Sequence, residues 1–519
     1  MSAQIPSLRS YLTDALSTLP GSSQLDLYTL ITPTRKHTSL FPYTSLPTSS
    51  RAKILQQEIL ILVSQSPIDP NRAVFVSGIE AVLYTIPSNA ASILYISKVD
   101  STGQTVEGCG SPTGPLVKAF IDYFIRPETR PTRNVRVQLF ARAQSQYIFP
   151  DSSLHSGKRV LTDVKLCWWW KDVLTTVVRR QGLDRVDDPK AEVTERKCYY
   201  LFPGLSQVEA DRMLSYAGGV DKVAPPTGNR PIWTYGHPYS TTHTPLYSAL
   251  NSPPELATDS NDTDIFDLIP TFSDDPKARF LVELAATSKR PEASYTGGNG
   301  DGPPLKKRQR SERLPSPSPP QTISQADPGI DEAAVSSSPE STKQMRSAVT
   351  AEEFWERMGF RQECTLNAVT GFFIVDLFDP SPLSHHPSAT TTSEHLPDKA
   401  PLSHSTTTTI PVPMLARISS SLQNLDFGST ERAIEATKVL TESIKGLCGG
   451  LSGEGENEGG SFYKEHVVAS IVLHNPPRLA KFHKQESGTN GGTGGQVNTA
   501  VSAPVNMLQV RKKKRPAAS

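Results

Sequence analysis

Residues 73–125 read AVFVSGIEAVLYTIPSNAASILYISKVDSTGQTVEGCGSPTGPLVKAFIDYFI, a stretch in which apolar runs alternate with polar breaks. The runs over 73–86 and 92–99 are rich in Ile, Leu, Val and Tyr, and they lie between Pro, Asn and Ser residues. This pattern predicts two consecutive strands. The run over 115–125 has helical spacing and begins with Pro115, which suits the first position of a helix because its missing N–H costs nothing there.

The rest of the chain continues this mixture of helices and strands. Consecutive strands with short links predict an antiparallel or mixed sheet, and the fold class is therefore α/β (α+β), with a central mixed sheet surrounded by helices. The predicted helices cover 6–19, 163–180, a segment from Ser206, a segment from Asp275, a segment from Phe354, and 430–448. The further predicted strands cover 25–32, 57–64, 135–142, 198–202, 371–375 and 463–473.

The composition indicates one sizeable ordered domain diluted by inserts, since the chain has 44 Pro, 33 Gly and only 36% hydrophobic residues. Segments rich in Ser, Pro, Thr and Gly cannot bury a core. The predicted organisation is 1–287 for the N-terminal part of a folded core, 288–350 for a disordered insert and 351–380 for the core continuation. A second disordered insert covers 381–412, a core helix and the C-terminal part cover 413–475, and a flexible tail covers 476–519.

Charge and cysteine content restrict the class of protein. The formal net charge is +1, so basic elements are local, and they occur at Lys306–Arg310 and Arg511–Arg515. Such runs are typical of nuclear import signals or solvated tails. The five cysteines are odd in number and widely spaced, which argues against a disulfide framework and zinc sites and favours a reducing compartment. No signal peptide, membrane span or HExxH-type metal motif is recognisable, so we expect a soluble protein without a metal.

The polar loop at 100–114 joins a predicted strand to the predicted helix at 115–125. Free backbone N–H groups at such a junction, together with the helix dipole, bind phosphate groups. The loop matches neither the P-loop pattern nor a compact G-x-G-x-x-G, so a flexible connection without a ligand is the alternative.

Three consecutive indoles, Trp168, Trp169 and Trp170, lie on the predicted helix over 163–180. Because they are about 100° apart around the helix axis, they cannot share one face. At least one therefore faces a cleft or a partner, unless two lie in the core and the third packs under a loop.

The segment Asp274–Phe280 reads DDPKARF and begins a helix. Asp275 fits the N-cap position and Pro276 the first helical position. The two adjacent carboxylates near a lysine also suit a site that attracts a cationic lysine and takes its proton. The residues alone leave both interpretations open and favour the cap.

Several segments together resemble the fungal regulator-of-Ty-transposition histone acetyltransferases, whose fold is related to that of the CREB-binding-protein acetyltransferases. The segments that carry the resemblance occur in the family's order and are Ser97–Asp100, Phe140–Ser153 (FARAQSQYIFPDSS), Lys158–Leu161, Trp169-Trp170, Asp274–Phe280, Ile434–Ala436, Met507-Leu508 and Arg511–Lys513.

The resemblance implies a set of functional residues in this chain. It implies that Trp170 and Asp275 line the active site, that Asp275 accepts a proton, and that the enzyme acetylates its own Lys277. Acetyl-CoA as co-substrate would be contacted by Val99, Asp100, Ser101, Gly110, Ser111, Pro112, Thr113, Gly114, Phe140, Gln144, Arg159, Val160, Leu161 and Trp169.

The resemblance also implies a function. It is transfer of acetyl groups from acetyl-CoA to lysines of histone three, in the globular core and in the tail, within the nucleus. Histone three with histone four and histone chaperones are the implied partners, in chromatin assembly, transcription regulation, DNA repair and genome stability, with no sequence-specific DNA binding. A non-enzymatic chromatin or histone-chaperone scaffold, with the Trp helix as a docking surface, is the rival hypothesis.

Overall fold

The computed structural model describes residues 5–67, 70–183, 195–218, 233–239, 246–251, 264–288, 349–361, 369–378, 409–450 and 462–477. All of them belong to one unit, Met1–Arg478, and the second unit, Leu479–Ser519, lies outside the described residues. Most residues of the two predicted inserts and of the tail, including both basic runs, also lie outside them. The disorder predicted for these segments stays a prediction.

The described helices and strands agree with the predicted α/β class. The helices are α1 Leu8–Ser17, α2 Thr113–Ile125, α3 Asp163–Leu183, α4 Gln207–Gly218, α5 Ile265–Leu268, α6 Pro276–Ser288, α7 Ala351–Met358, α8 Val412–Gln423 and α9 Thr430–Gly449. The strands are β1 Gly21–Ile31, β2 Arg35–His37, β3 Ile54–Ser66, β4 Val74–Ile86, β5 Ala91–Ser101, β6 Asn134–Ala141, β7 Glu195–Leu201, β8 Trp233–Tyr235, β9 Gly371–Phe378 and β10 Val468–Asn475.

One mixed sheet contains all of these strands, in the order β10-β1-β3-β4-β5-β6-β9-β7-β8, with β2 paired to β3. The parallel pairs within this described sheet are β5 with β6 and β7 with β8, and the other neighbours are antiparallel. The expectation of a central mixed sheet surrounded by helices is confirmed.

Helices cover both faces of the sheet, because apolar residues alternate along the strands. Leu139 and Ala141 of β6 lie in the main core with α1 to α4, whereas Phe140 packs on the opposite face, among residues of α6 and α7. Two adjacent residues of one strand therefore reach two different cores. Helices α8 and α9 cover the opposite face further along, over β1, β3 and β4.

Three local expectations need correction. Helix α2 begins at Thr113 with Pro112 at the N-cap, so Pro115 is the third helical residue rather than the first. The first turn tolerates proline because its N–H groups have no partner within the helix. The strand predicted over 463–473 begins only at Val468, since Tyr463–Val467 form a π-helical turn. Helix α8, which is flanked by Pro411 and contains Pro413, was not predicted.

Candidate active site

Strands β5 and β6 separate at their carboxyl ends. Their parallel pairing covers only Ala91–Tyr95 and Asn134–Gln138, although β5 continues to Ser101 and β6 to Ala141. A bulge in the β4–β5 pairing, between Glu80 and Ala81, coincides with the separation. Ligands in α/β proteins bind at the carboxyl ends of parallel strands. The predicted cofactor residues Val99, Asp100, Ser101 and Phe140 lie along this separation of the two strand ends, which we call the cleft.

The loop after β5 leads into α2, whose amino terminus has no side-chain cap. Ser111 is exposed, and a Cβ added at Gly114 would meet no atom within 4 Å, so open space adjoins the first turn. Uncapped N–H groups and the positive end of the helix dipole favour an anionic ligand. The geometry of the predicted Gly110–Gly114 loop therefore fits a phosphate-bearing ligand.

Asp100 is a hub of hydrogen bonds within the protein. One carboxylate oxygen accepts the backbone N–H groups of Tyr147, Ile148 and Phe149 at 2.8, 2.9 and 3.1 Å. The other oxygen accepts from the backbone N–H of Ser101 at 2.8 Å and from Lys158 Nζ at 2.9 Å. With both oxygens occupied, this carboxylate holds the loop after β6 against the end of β5, so any contact of Asp100 with a ligand would come from its backbone.

The loop after β6 carries the predicted residues Gln144, Arg159, Val160 and Leu161. The side chains of Gln144, Arg159 and Val160 are exposed, and Leu161 is half-buried. The backbone N–H of Gln144 donates to the hydroxyl of Tyr147 at 2.9 Å, and the loop is tied to the start of α3 by Asp163, which accepts the N–H of Ala143 at 2.8 Å. Exposed side chains on a fastened loop are available to a ligand.

The three indoles of α3 have different environments. Trp168 and Trp169 are half-buried, whereas Trp170 is 5% exposed and belongs to the main core. The rings of Trp169 and Trp170 meet edge to face, with centroids 4.8 Å apart. Trp169 can thus reach a ligand, and Trp170 supports it from behind.

Asp275 and Lys277 form a buried ion pair at the start of α6, with exposures of 3% and 1%. One oxygen of Asp275 accepts the backbone N–H of Lys277 at 2.9 Å, which confirms the predicted cap, and the other accepts from Lys277 Nζ. Burial raises the pKa of Asp275, with Lys277 acting in the opposite sense. Burial also lowers the pKa of Lys277. A neutral amine beside a carboxyl group that binds protons is therefore easier to form here than in water.

Aromatic rings enclose this pair. Lys277 Nζ lies 5.1 Å from the ring centre of Phe272 and 5.8 Å from that of Phe372. Phe272 stacks on Tyr95 at 4.0 Å, and the rings of Phe372 and Phe140 are 6.2 Å apart. Tyr95 is the last residue of β5 paired with β6, and Phe140 lies beyond the separation. The buried pair is therefore one aromatic ring away from the predicted cofactor cleft.

Sequence reasoning missed several members of the site. Phe272, Phe372 and Tyr95 read as ordinary core residues, and only the tertiary structure brings them to Lys277. Lys158 stood at the edge of a segment that carried the family resemblance, without an assigned role. Nothing in the sequence around Lys158 indicated that it would pair with Asp100.

Among the described residues, no group of His, Cys, Asp or Glu is arranged to hold a metal ion. None of the helices in the described part of the chain is long and apolar enough to cross a membrane.

Comparison with known proteins gives one consistent result. The sequence model of the family described as "Histone acetyltransferase KAT11-type domain" matches residues 121–443. The chain is 27% identical over 354 residues to "Histone acetyltransferase rtt109" of Aspergillus flavus, which covers 65% of this chain and 50% of that protein. It is 24% identical over 310 residues to the protein of the same name from Schizosaccharomyces pombe, covering 59% of this chain and 57% of that protein.

The chain thus spans only about half the length of these curated relatives. A solved structure, "Crystal structure of Rtt109 from Aspergillus fumigatus", shares the fold with a TM-score of 0.60 and 21% identity, over 90% of this chain and 99% of that one. The resemblance drawn from the sequence is confirmed, because the family match extends over more than half of the chain. The chain belongs to the family of histone acetyltransferase KAT11-type domains.

Proposed function

We propose that this protein transfers the acetyl group of acetyl-CoA to lysines of histone three. Three observations support the proposal: the family match, the names of the relatives, and the position of the buried Asp275–Lys277 pair beside the cleft between β5 and β6. The last of these supports the proposed mechanism, in which Asp275 would be the base and Lys277 an amine beside the region that would hold the co-substrate.

Acetyl-CoA would lie along the cleft and the first turn of α2. The uncapped amino terminus and the loop Gly110–Gly114 would receive its phosphate groups. The backbone of Val99–Ser101, the ring of Phe140, the exposed loop at Gln144 and Arg159–Leu161, and the indole of Trp169 would line its remaining surface. Bound there, acetyl-CoA supplies a thioester that an amine can attack.

Asp275 would remove the proton from the incoming lysine. An ordinary lysine has a pKa near ~10.4, so it must lose a proton before it can react. The burial that raises the pKa of Asp275 makes its carboxylate a stronger base. Asp275 takes the proton that the ammonium loses. As the new N–C bond then forms and the C–S bond breaks, the electron pair leaves with sulfur, and the second proton on the nitrogen passes to the leaving thiolate to give the free thiol of CoA. This direct attack has no step that calls for a metal.

Lys277 itself would be an acetyl acceptor. Its Nζ touches Asp275, its pKa is lowered by burial, and its aromatic neighbours reach the cleft. Acetylation would replace a buried cation with a neutral amide, which removes the cost of keeping that charge out of water.

The proposed setting is the nucleus, in chromatin assembly and genome stability. The relatives' name indicates action on histones, and the basic runs Lys306–Arg310 and Arg511–Arg515 suit import and contact with acidic histone chaperones. Histone three with histone four, presented by chaperones, would be the substrate.

The test is acetyl transfer by the purified protein to histone three, with and without chaperones, followed by mass spectrometry. We expect Asp275→Asn to lower kcat by about 100-fold or more, because Asn cannot accept the proton. Its melting temperature should fall as well, because Asn keeps the cap but leaves the buried Lys277 without a counter-charge, so kcat is measured on protein shown to be folded.

Asp274→Asn is the matched control, because that neighbouring carboxylate is mostly exposed and lies 3.8 Å from Lys98. Its activity should stay near the wild-type level. If the protein is correctly folded but histone three gains no acetyl group, the result would favour a non-enzymatic scaffold instead.

A further inference from the structure

A groove of about 450 Å³ lies between the end of β7 and helix α7, apart from the cleft described above. Its walls are the end of β7 with the loop after it, His237 after β8, and one face of α7 with Phe360, two residues beyond the end of that helix. The residues that matter here are Leu205, His237, Glu352, Trp355, Glu356 and Phe360.

Among the described residues that line the groove, the charge has one sign. Glu352 and Glu356 are its charged lining residues apart from His237, whose pKa burial lowers to about 4, so the imidazole is neutral at physiological pH. Within the described part of the chain, neither carboxylate has an ion pair or a hydrogen bond. Carboxylates at i and i+4 on a helix repel each other. A cation placed between them would relieve this repulsion.

The groove also has a rigid apolar part. Trp355 forms its buried floor, and Phe360 stands at the rim with 81% of its surface exposed. The backbones of Gly204 and Gly359 are in direct contact. A Cβ added at Gly359 would lie 2.5 Å from the Gly204 nitrogen, so no larger residue fits there. This close approach fixes the wall in place. Phe360 therefore offers an exposed apolar surface at the rim of the groove.

A second cavity, of about 570 Å³, adjoins Phe272 but has a different charge balance. Its carboxylates Glu58 and Glu80 are already paired with Arg35 and Lys98. A cationic ligand would therefore bind less favourably in this cavity than in the groove at α7.

The groove backs onto the candidate active site. The ring of Trp355 meets that of Phe372 edge to face at 4.8 Å, and Phe372 lies 5.8 Å from Lys277 Nζ. Two aromatic rings thus separate the groove from the buried pair. A chain bound in the groove would be kept close to the acetyl-transfer region without occupying it.

We infer that this groove is a docking site for a basic, extended peptide with an apolar residue, and that its occupant is the amino-terminal tail of histone three. Lysine or arginine side chains of the tail pair with Glu352 and Glu356, and an apolar residue packs on Phe360. The identity of the peptide rests on the proposed function. The chemistry of the groove, acidic and aromatic, does not.

The experiment measures binding of a fluorescent synthetic peptide of the histone three tail to the full chain, by anisotropy and without acetyl-CoA. The double variant Glu352→Gln/Glu356→Gln should weaken binding roughly fivefold at low salt, and the difference should shrink as salt rises. Phe360→Ser should also weaken binding without lowering the melting temperature, because this side chain is exposed.

The matched control is Glu431→Gln/Glu435→Gln, which removes two exposed carboxylates of the same spacing from the first two turns of α9. It should bind the peptide like the wild type. Equal loss of binding in both double variants would indicate a general charge effect and would overturn the proposal. No loss in the Glu352→Gln/Glu356→Gln variant would overturn it as well.

Two further outcomes separate this proposal from others. The first uses a variant in which Gln replaces four basic residues, Lys306, Lys307, Arg308 and Arg310. If this variant binds the peptide and the wild type does not, the chain's own basic run occupies the groove, and the assignment to histone is wrong. If the peptide binds as expected but no acetyl is transferred, the docking site stands and the proposed function fails. In an active enzyme, the groove variants should raise KM for the tail and leave kcat unchanged.

Discussion

Two buried lysine–aspartate pairs flank the same cleft, yet their surroundings differ. Asp100 receives backbone N–H groups on both oxygens in addition to Lys158 Nζ. Within the part of the chain that the structure describes, the carboxylate of Asp275 receives only the N–H and the Nζ of Lys277, and burial raises its pKa. The two carboxylates thus differ in what they hold: Asp100 fastens a loop through four backbone N–H groups, whereas Asp275 contacts Lys277.

The largest expected effect concerns Asp100. Asp100→Ala leaves several backbone N–H groups without an acceptor and removes the counter-charge of Lys158, whose ammonium keeps its bond to Ser152, so it should lower the free energy of unfolding by about 3–5 kcal/mol. Urea titration measures this. Lys158→Met retains the backbone N–H donors and should cost less. If Lys158→Met were the more damaging change, the ion pair rather than the backbone bonds would anchor the loop.

A smaller effect should follow from the glycine that lets the two loops meet. Gly103 has φ +75°, and an added Cβ would lie 2.4 Å from Lys158 Cα. Gly108 has φ +76° with nothing within 4 Å, so Gly108→Ala measures the backbone strain alone. Gly103→Ala should destabilise the protein by about 1–3 kcal/mol more than that control, in thermal unfolding. Equal melting temperatures of the two variants would mean that the Gly103–Lys158 approach is not needed.

His237 extends the comparison to a buried base and gives the smallest effect. Its pKa is about 4 in the folded protein, against roughly 6.5 in an unfolded chain. Between these values the unfolded state binds more protons, so stability is full above pH ~6.5 and falls as the pH approaches 4. His237→Asn keeps an acceptor for the N–H of Tyr239 and should make the melting temperature less dependent on pH in this window. The same change at exposed His474 should leave the pH dependence as in the wild type.

Much of the fold could be predicted because its signals are local. The strands at 74–86 and 91–101 and the helix at 113–125 follow from apolar periodicity, and Asp275 follows from capping chemistry. Helix α8 escaped notice because prolines and a polar segment surround its start. The shift of β10 arises from a π-helical turn, for which periodicity gives no signal.

The site was predictable only in part. The junction of strand, Gly-rich loop and helix identified a region that suits phosphate, and the family resemblance supplied the residue roles. The saturation of Asp100 and the burial of Lys277 depend on contacts between distant segments, such as Asp100 with Phe149 and Lys277 with Phe372. The spacing of residues in the sequence does not predict these contacts. Two Asp–Lys pairs of the same composition therefore have different surroundings in the folded protein.

The most direct test of this difference is to incubate the purified chain with acetyl-CoA alone and to locate the acetylated lysines by peptide mass spectrometry. The two lysines are similarly buried, but Lys277 lies against the carboxyl group whose pKa is raised, whereas Lys158 is held by a carboxylate with further donors. We expect acetyl on Lys277 and none on Lys158, with the Lys277 signal lost in Asp275→Asn. Acetyl on Lys158 with Lys277 unmodified would contradict the assignment of the reactive pair.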